Sequence, residues 1–166
     1  RMAIPAEYLG QNAQTRIIFV PGGARRRQSV HNALRFLASF GTDLVLIHDG
    51  ARPWLDLDLI QRVIRSAIEN GAAIPVMPLV ETPKELNASG MIIRHPSRAS
   101  LCTAQTPQAF WFPEILKAHD QAAREEELTG REFTDDAEVW GAYCGSVATV
   151  PGSILNKKIT FPEDLP

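Results

Sequence analysis

Asp49 and Arg52 stand three residues apart in the hexapeptide His48-Asp49-Gly50-Ala51-Arg52-Pro53. Joined by Gly50 and Ala51, they can bring a carboxylate and a guanidinium close to one ligand. Taken alone, the same six residues fit an ordinary Asp-Gly turn with a surface arginine at least as well. Gly22-Gly23, followed by Ser29 at the start of a helical pattern, would expose backbone N–H groups and a helix N-terminus that favour an anionic or polar ligand. A plain turn is the simpler reading, since neither a Walker motif nor G-x-G-x-x-G is present. Arg98, Thr106, Thr134 and Lys158 scatter further donors through the second half. Each alone fits a surface charge or a cap, and Thr134 fits an N-cap before Asp135 and Asp136. Lys158 differs in lying in an expected strand near apolar Ile154, Leu155 and Ile159. His31, His95 and His119 lack metal-ligand spacing, and without Gly-x-Ser-x-Gly a serine nucleophile would have no elbow.

The elements that must position these groups can be read from the apolar pattern. Arg16 to Val20 reads as a short buried strand ended by Pro21-Gly22-Gly23. Val30, Leu34 and Leu37 recur at helical spacing between Arg27 and Phe40, and Gly41 closes that helix. Asp43 to His48 is a continuous apolar run of strand length, the pattern of a strand covered on both faces. A second helix spans Asp56 to Asn70, with Leu59, Val63 and Ala67 on one side and Gly71 as its cap. Ala72 to Val80 is apolar again, but Pro75 and Pro78 predict an irregular or edge strand. This alternation of strand and helix argues a parallel sheet with helices on both faces. In such sheets ligands bind beyond the carboxyl ends of the strands, where His48 to Pro53 lie. Glu81 to Cys102 is polar, has no helical face and contains Pro83, Gly90 and Pro96, which points to an arm, a lid or a binding loop. Helical pattern returns over Pro113 to Leu128 and after Thr134. Ser146 to Val150 and Lys158 to Phe161 are short strand candidates.

With 166 residues, 45% of them hydrophobic, the chain suits one domain with a sizeable core. A net charge of −2, from 17 basic and 19 acidic residues, argues against a nucleic-acid surface. The run Arg25-Arg26-Arg27 reads as a solvated loop or helix start. No apolar stretch approaches the roughly 20 residues of a membrane span. Cys102 and Cys144 have no metal-type spacing and read as structural thiols of a reducing cytoplasm. Arg1-Met2-Ala3-Ile4-Pro5 begins abruptly inside what could be a strand, so an incomplete chain is expected.

In order along the chain, GGARRRQSVHNAL, LIHDGARP, AAIPVMPLVETPK, SRASLCTAQTPQAF, FTDDAEV and NKKITFPEDL closely resemble the methylerythritol-phosphate cytidylyltransferase family of isoprenoid synthesis. The resemblance runs from about Ile4 to Leu165. HDGARP, and Lys84 directly after Thr82-Pro83, favour this family over the ribitol-5-phosphate cytidylyltransferases. Position by position, the resemblance implies that Gly23, Ala24 and Ser29 help to bind CTP. Asp49 and Arg52 would contact the sugar-alcohol substrate and flank the nucleotide, with Thr82, Thr106 and Thr134 also at the substrate. Arg98 and Lys158 would hold the attacking phosphate, and Asn156 stands two residues before that lysine.

The family's arm motif is Asp-Thr, an apolar residue and Lys, whereas Glu81-Thr82-Pro83-Lys84 stands here. The family also starts with a glycine-rich loop carrying an arginine and, further on, a lysine, and nothing in this sequence matches it. The resemblance implies transfer of CMP from CTP to 2-C-methyl-D-erythritol 4-phosphate, with Mg²⁺ bound mainly through the CTP phosphates and Asp49 as a possible contact. Ribitol 5-phosphate as substrate, or a non-catalytic binding module, are the alternatives. The expectation is thus a cytoplasmic α/β enzyme with a Rossmann-like, mostly parallel sheet, helices on both faces and a protruding β-arm. Residues 1–166 would form one nucleotidyltransferase domain, incomplete at its N-terminus. It would be a homodimer through the arm 81–102, with no nucleic-acid or membrane partner.

Overall fold

The computed structural model describes residues 17–165. Arg1 to Pro5, Arg16 and Pro166 lie outside them. Helix α1 (Arg26–Leu37) turns Leu34 into the core, flanked by Val30 and Leu37, and a 3₁₀ turn at Ala38–Phe40 ends it. Strand β1 (Leu44–Ile47) leads to helix α2 (Leu57–Asn70), which is opened by Asp56, whose carboxylate accepts the Leu59 N–H at 2.7 Å. Gly71 stops α2 at φ 84°, where a side chain would be strained, and an added Cβ would sit 3.2 Å from the Trp140 ring. Strand β2 (Ala72–Pro78) follows at once, then a small hairpin of β3 (Glu85–Leu86) and β4 (Ile92–Arg94). Strands β5 (Cys102–Ala104) and β6 (Gln108–Trp111) precede helices α3 (Phe112–Thr129) and α4 (Asp136–Tyr143) and strand β7 (Ala148–Pro151).

Strand β6 pairs antiparallel with β1, Ile47 facing Gln108, and with the start of β2 at Ala72 and Ala73. Strand β5 pairs antiparallel with the end of β2, and β7 runs parallel along its other edge. Strands β1, β2 and β7 therefore point the same way, as the alternation of strand and helix predicts. Among the described residues, however, three of the four pairings in this sheet are antiparallel, so the expected mostly parallel sheet is corrected to a mixed one. The reversed segment 102–111 lies between β1 and β2, an insertion that nothing in residues 43–80 could announce. Because β6 runs backwards, it begins at the end of the sheet where β1 finishes.

Between β6 and β5 the register against β2 slips by two residues, at Gln105, Thr106 and Pro107. Of the two expectations for β2, an irregular or an edge strand, pairing on both sides rules out the edge, and the slip is the irregularity. Pro75 sits in a strand paired on both sides, but its nitrogen and carbonyl face the slipped segment. There its oxygen accepts the Gln105 N–H at 2.8 Å, and the missing donor falls where the ladder is already broken.

The pleat sends alternate residues to opposite faces. Ala72, Ile74 and Phe110 pack under α1, α3 and α4 with Leu34, Ile115, Ala118, Val139 and Trp140. Ala73 and Ala109 face α2, against Leu59, Val63 and Ala67. Each fully buried Leu, Ile or Phe contributes on the order of 1.5–3 kcal/mol through removal from water. Helices cover both faces, as expected. No helix among the described residues is long and apolar enough to cross a membrane.

Four local expectations are corrected. Ile17, Ile18 and Phe19 are 41%, 46% and 74% exposed and form no strand, because no described strand takes their backbone groups. The N-cap of α4 is Asp135, whose carboxylate accepts the Glu138 N–H at 2.8 Å, and not Thr134. Residues 158–161 form no strand. The Thr160 and Phe161 N–H groups donate to the Asp164 carboxylate, and only Ile159 makes a backbone bond across to Ala51. Cys102 and Cys144, read as structural thiols, are free and exposed, Cys102 lying in β5, all of whose residues are exposed.

Candidate active site

The end of β1, the start of β6, the loop after β7 and the N-termini of α1 and α4 meet at one edge of the sheet. They enclose a cleft of about 170 Å³ lined by Arg26, Asp49, Arg52, Thr106, Thr134 and Lys158, with Gln105, Gln108 and Asp135 behind them. Four of the residues expected at a site, Asp49, Arg52, Thr106 and Thr134, thus converge with Lys158, although they span more than 100 positions of sequence.

Asp49 is the centre of charge. Its Oδ2 lies 3.3 Å from Arg52 Nε and 3.6 Å from Lys158 Nζ, and its Oδ1 lies 3.7 Å from Arg26 Nε. Asp49 thus faces three cations, but Asp135 also lines the cleft and Asp136 pairs with Arg26, so the charge most available to a phosphate is that of the half-exposed Lys158. Arg52 is fixed from behind, its Nη1 donating to the Asn156 carbonyl at 2.8 Å. Asn156, fully buried, donates its side-chain amide to the Thr106 carbonyl at 2.7 Å. The Thr106 hydroxyl bonds His48 Nδ1 at 2.9 Å and accepts the Asp49 N–H at 3.0 Å. With that hydroxyl donating to Nδ1, His48 carries its proton on Nε2, which donates to the Arg52 carbonyl at 3.0 Å. The register slip at 105–107 thus braces the turn that holds Asp49 and Arg52, the feature that lifts it above an ordinary Asp-Gly turn.

Thr134 donates its hydroxyl to Glu138 Oε2 at 2.8 Å at the cleft's edge. Lys158 is half exposed, and among the described residues its ammonium reaches only Asp49. Gly23 and Ala24 lie in the loop entering α1 and Ser29 in its first turn, all outside the cleft lining. The Gly23 N–H donates to Ser29 Oγ at 2.9 Å and the Ala24 N–H to Gln28 Oε1 at 3.0 Å. The expectation that this loop's N–H groups stand open is corrected: the Ser29 and Gln28 side chains fold back onto them. An added Cβ on Gly23 would collide with Gln28 Cβ, so this tight turn admits only glycine. Thr82 and Arg98 are not brought to the cleft. Both are exposed on the arm, where Arg98 Nη1 donates to the Val80 carbonyl at 2.6 Å.

The arginine run is also not the solvated face expected. Arg27 is buried and grips Glu126 with two bonds of 2.6 Å, tying α1 to α3. Arg26 enters the cleft, its Nη2 donating to Asp136 Oδ2 at 2.8 Å. Burial works against the charge of Arg26, but Asp136, and then Asp49 and Asp135, push its pKa up. Burial likewise opposes ionisation of Asp136, and its contacts with His119 and Arg26 outweigh that and hold its carboxyl below the usual range. Arg26 and the buried Gln105 and Gln108 escaped the sequence reading. The one signal for the glutamines was two uncharged polar residues, flanking Thr106-Pro107, inside an otherwise strand-like run.

The family model described as 2-C-methyl-D-erythritol 4-phosphate cytidylyltransferase, IspD, matches residues 4–166. The chain belongs to this family. It is 49% identical over 147 residues to a bifunctional enzyme IspD/IspF of Rhodopseudomonas palustris strain BisB18, covering 87% of the chain and 35% of that protein. The chain thus spans about a third of the length of the curated relatives it matches. Among solved structures, the Thermus thermophilus 2-C-methyl-D-erythritol 4-phosphate cytidylyltransferase is 36% identical, with a TM-score of 0.76 over 89% of this chain and 69% of that one. The Francisella tularensis enzyme of the same name is 28% identical, with a TM-score of 0.77 over 87% of this chain and 66% of that one. The IspD family and its Rossmann-like α/β fold are those that the motifs implied.

Proposed function

We propose that this chain carries the nucleotidyl-transfer site of an enzyme that joins CTP to 2-C-methyl-D-erythritol 4-phosphate and releases pyrophosphate. The observation that carries this reading is the Asp49 carboxylate set among Arg26, Arg52 and Lys158 at the end of β1 in a chain of the IspD family. A phosphate oxygen of the polyol phosphate attacks the α-phosphorus of CTP, and the bond to the pyrophosphate oxygen breaks. The phosphate monoester is already anionic near neutral pH, so the step needs no strong general base. It needs cations to bring two polyanions together and to stabilise charge as the leaving group departs. Lys158 and Arg98 hold the attacking phosphate, Asp49, Arg52, Thr82, Thr106 and Thr134 serve the polyol side, and Gly23, Ala24 and Ser29 serve the nucleotide. Both oxygens of Asp49 face cations, and among the described residues no group of three or more His, Cys, Asp or Glu gathers. Asp49 therefore does not fit a metal ligand, and Mg²⁺ would travel with the CTP phosphates.

The arm extends this proposal to a homodimer in the cytoplasm. Leu86, Met91, Ile92 and Ile93 are all exposed on it, and an isolated two-stranded hairpin is only marginally stable in water. Pairing with the arm of a second copy covers those side chains and carries Thr82 and Arg98 towards the neighbour's cleft. Assays of the full-length protein with CTP and either methylerythritol 4-phosphate or ribitol 5-phosphate test the function. Pyrophosphate release with the first and little with the second is expected, and preference for ribitol phosphate would reassign the substrate.

A further inference from the structure

Arg26 is the one cation lining the cleft, among the described residues, for which the family resemblance supplied no role. It is the first residue of α1, and its guanidinium spans two carboxylates that differ in how firmly they are held. On one side, Nη2 donates to Asp136 Oδ2 at 2.8 Å. Asp136 opens α4 with a side chain only 1% exposed, and its Oδ1 lies 3.2 Å from Nε2 of the fully buried His119 on α3. His119 stacks on His31 of α1 at 5.9 Å between ring centres, and His31 Nε2 bonds Asp120 at 2.8 Å. Asp136 is thus buried where α1, α3 and α4 meet, and its place is set by packing and by its bond to Arg26. On the other side, Arg26 Nε faces Oδ1 of Asp49, which sits in a turn and whose Oδ2 is shared by Arg52 and Lys158.

Lys158 cannot hold both Asp49 and an incoming phosphate with full strength. When it turns to the phosphate, Oδ2 keeps Arg52 alone, and a carboxylate held at one oxygen can rotate. We infer that Arg26 is a positioning residue: anchored on Asp136, it fixes Oδ1 of Asp49, so that the carboxylate stays set for the substrate's hydroxyl groups while Lys158 engages the phosphate. The inference rests on the reading of the cleft as the polyol-phosphate site. It also accounts for why an arginine stands there. A lysine offers one point of attachment, whereas the guanidinium reaches two carboxylates at once.

Steady-state kinetics of the full-length enzyme test this, with CTP and the polyol phosphate varied separately. Arg26→Gln should raise KM for the polyol phosphate about tenfold and leave KM for CTP within about twofold. Asp136→Asn, which keeps Arg26 but loosens its anchor, should move the same KM in the same direction. Combined with Asp49→Asn, Arg26→Gln should add little, because the two changes remove one interaction. Equal losses for both substrates, or losses that add in full in the double variant, would overturn the inference. So would an unchanged KM for the polyol phosphate in a folded Arg26→Gln enzyme. If thermal melting shows that variant unfolded, Arg26→Lys carries the same comparison. A parent enzyme that turns over no polyol phosphate removes the functional reading itself, and the role of Arg26 with it.

Discussion

At the scale of single residues, the cleft divides its work between groups that are already occupied and groups free to change partner. The hydroxyl of Thr106, the amide of Asn156 and the guanidinium of Arg52 are committed to backbone and side-chain bonds that shape the turn at Asp49. Among the described residues Lys158 touches only Asp49, at 3.6 Å, and it is half exposed, so it is the cation best able to move onto a substrate. Replacing Lys158 or Arg98 with Ala in the full-length enzyme should lower turnover by about 10²-fold, the scale of one lost cationic contact in the transition state. Near-normal turnover in both variants would sink their assignment to the attacking phosphate.

Among the elements, α3 and α4 are joined by a polar clamp as well as by the core. The Tyr143 hydroxyl donates to Glu125 Oε2 at 2.5 Å, and Arg131 holds the other oxygen of that carboxylate at 3.0 Å. Burial, and then the Glu125 carboxylate, push the Tyr143 phenol up to about 12. A folded-state pKa raised above the unfolded value of about 10 contributes stability that is fully present below that pH and is lost as pH rises through about 12. An alkaline titration followed by phenolate absorbance should show Tyr143 ionising late, and Tyr143→Phe should remove that late phase. A single phase near the ordinary value of about 10 for every tyrosine would refute the clamp. Helices α1 and α2 were legible in the sequence to within a few residues, because Leu34, Leu59, Val63 and Ala67 recur at helical spacing and Asp56, Gly41 and Gly71 mark ends. What apolar pattern could not reveal is pairing. Ile17 to Phe19 has the composition of a strand and no partner among the described strands, whereas Gln108 looks polar and lies buried in one. The cleft was legible in its separate motifs, but Arg26 was hidden, because a run of three arginines looks alike whether it faces water, a buried glutamate or a ligand.

For the whole molecule, the separation of Arg98 from the cleft makes a prediction about copies of the chain. Within one chain Arg98 is tied to Val80 on the arm, and Lys158 to Asp49. If the arm serves the neighbour's cleft, mixing full-length Arg98→Ala with full-length Lys158→Ala should restore activity. One cleft of each mixed dimer then keeps both residues, the lysine from its own chain and the arginine from the other. No recovery, despite demonstrated subunit exchange, would rule out a shared site.

The register slip opposite Pro75 reaches beyond the cleft, to the chain before it has folded. Residues 72–80 are the longest apolar stretch of this segment and would be an efficient template for intermolecular β-aggregation when newly made. A proline in such a stretch blocks unbroken strand stacking, because each added strand lacks one donor. In the native sheet that missing donor falls at the slip, so the safeguard costs almost nothing once the protein is folded. Pro75→Val should therefore leave the melting temperature within a few degrees, while refolding from denaturant at micromolar concentration yields more light-scattering aggregate than the parent. Equal aggregation by both would show that Pro75 offers no such protection, and that its place at the slip serves only the geometry of the cleft.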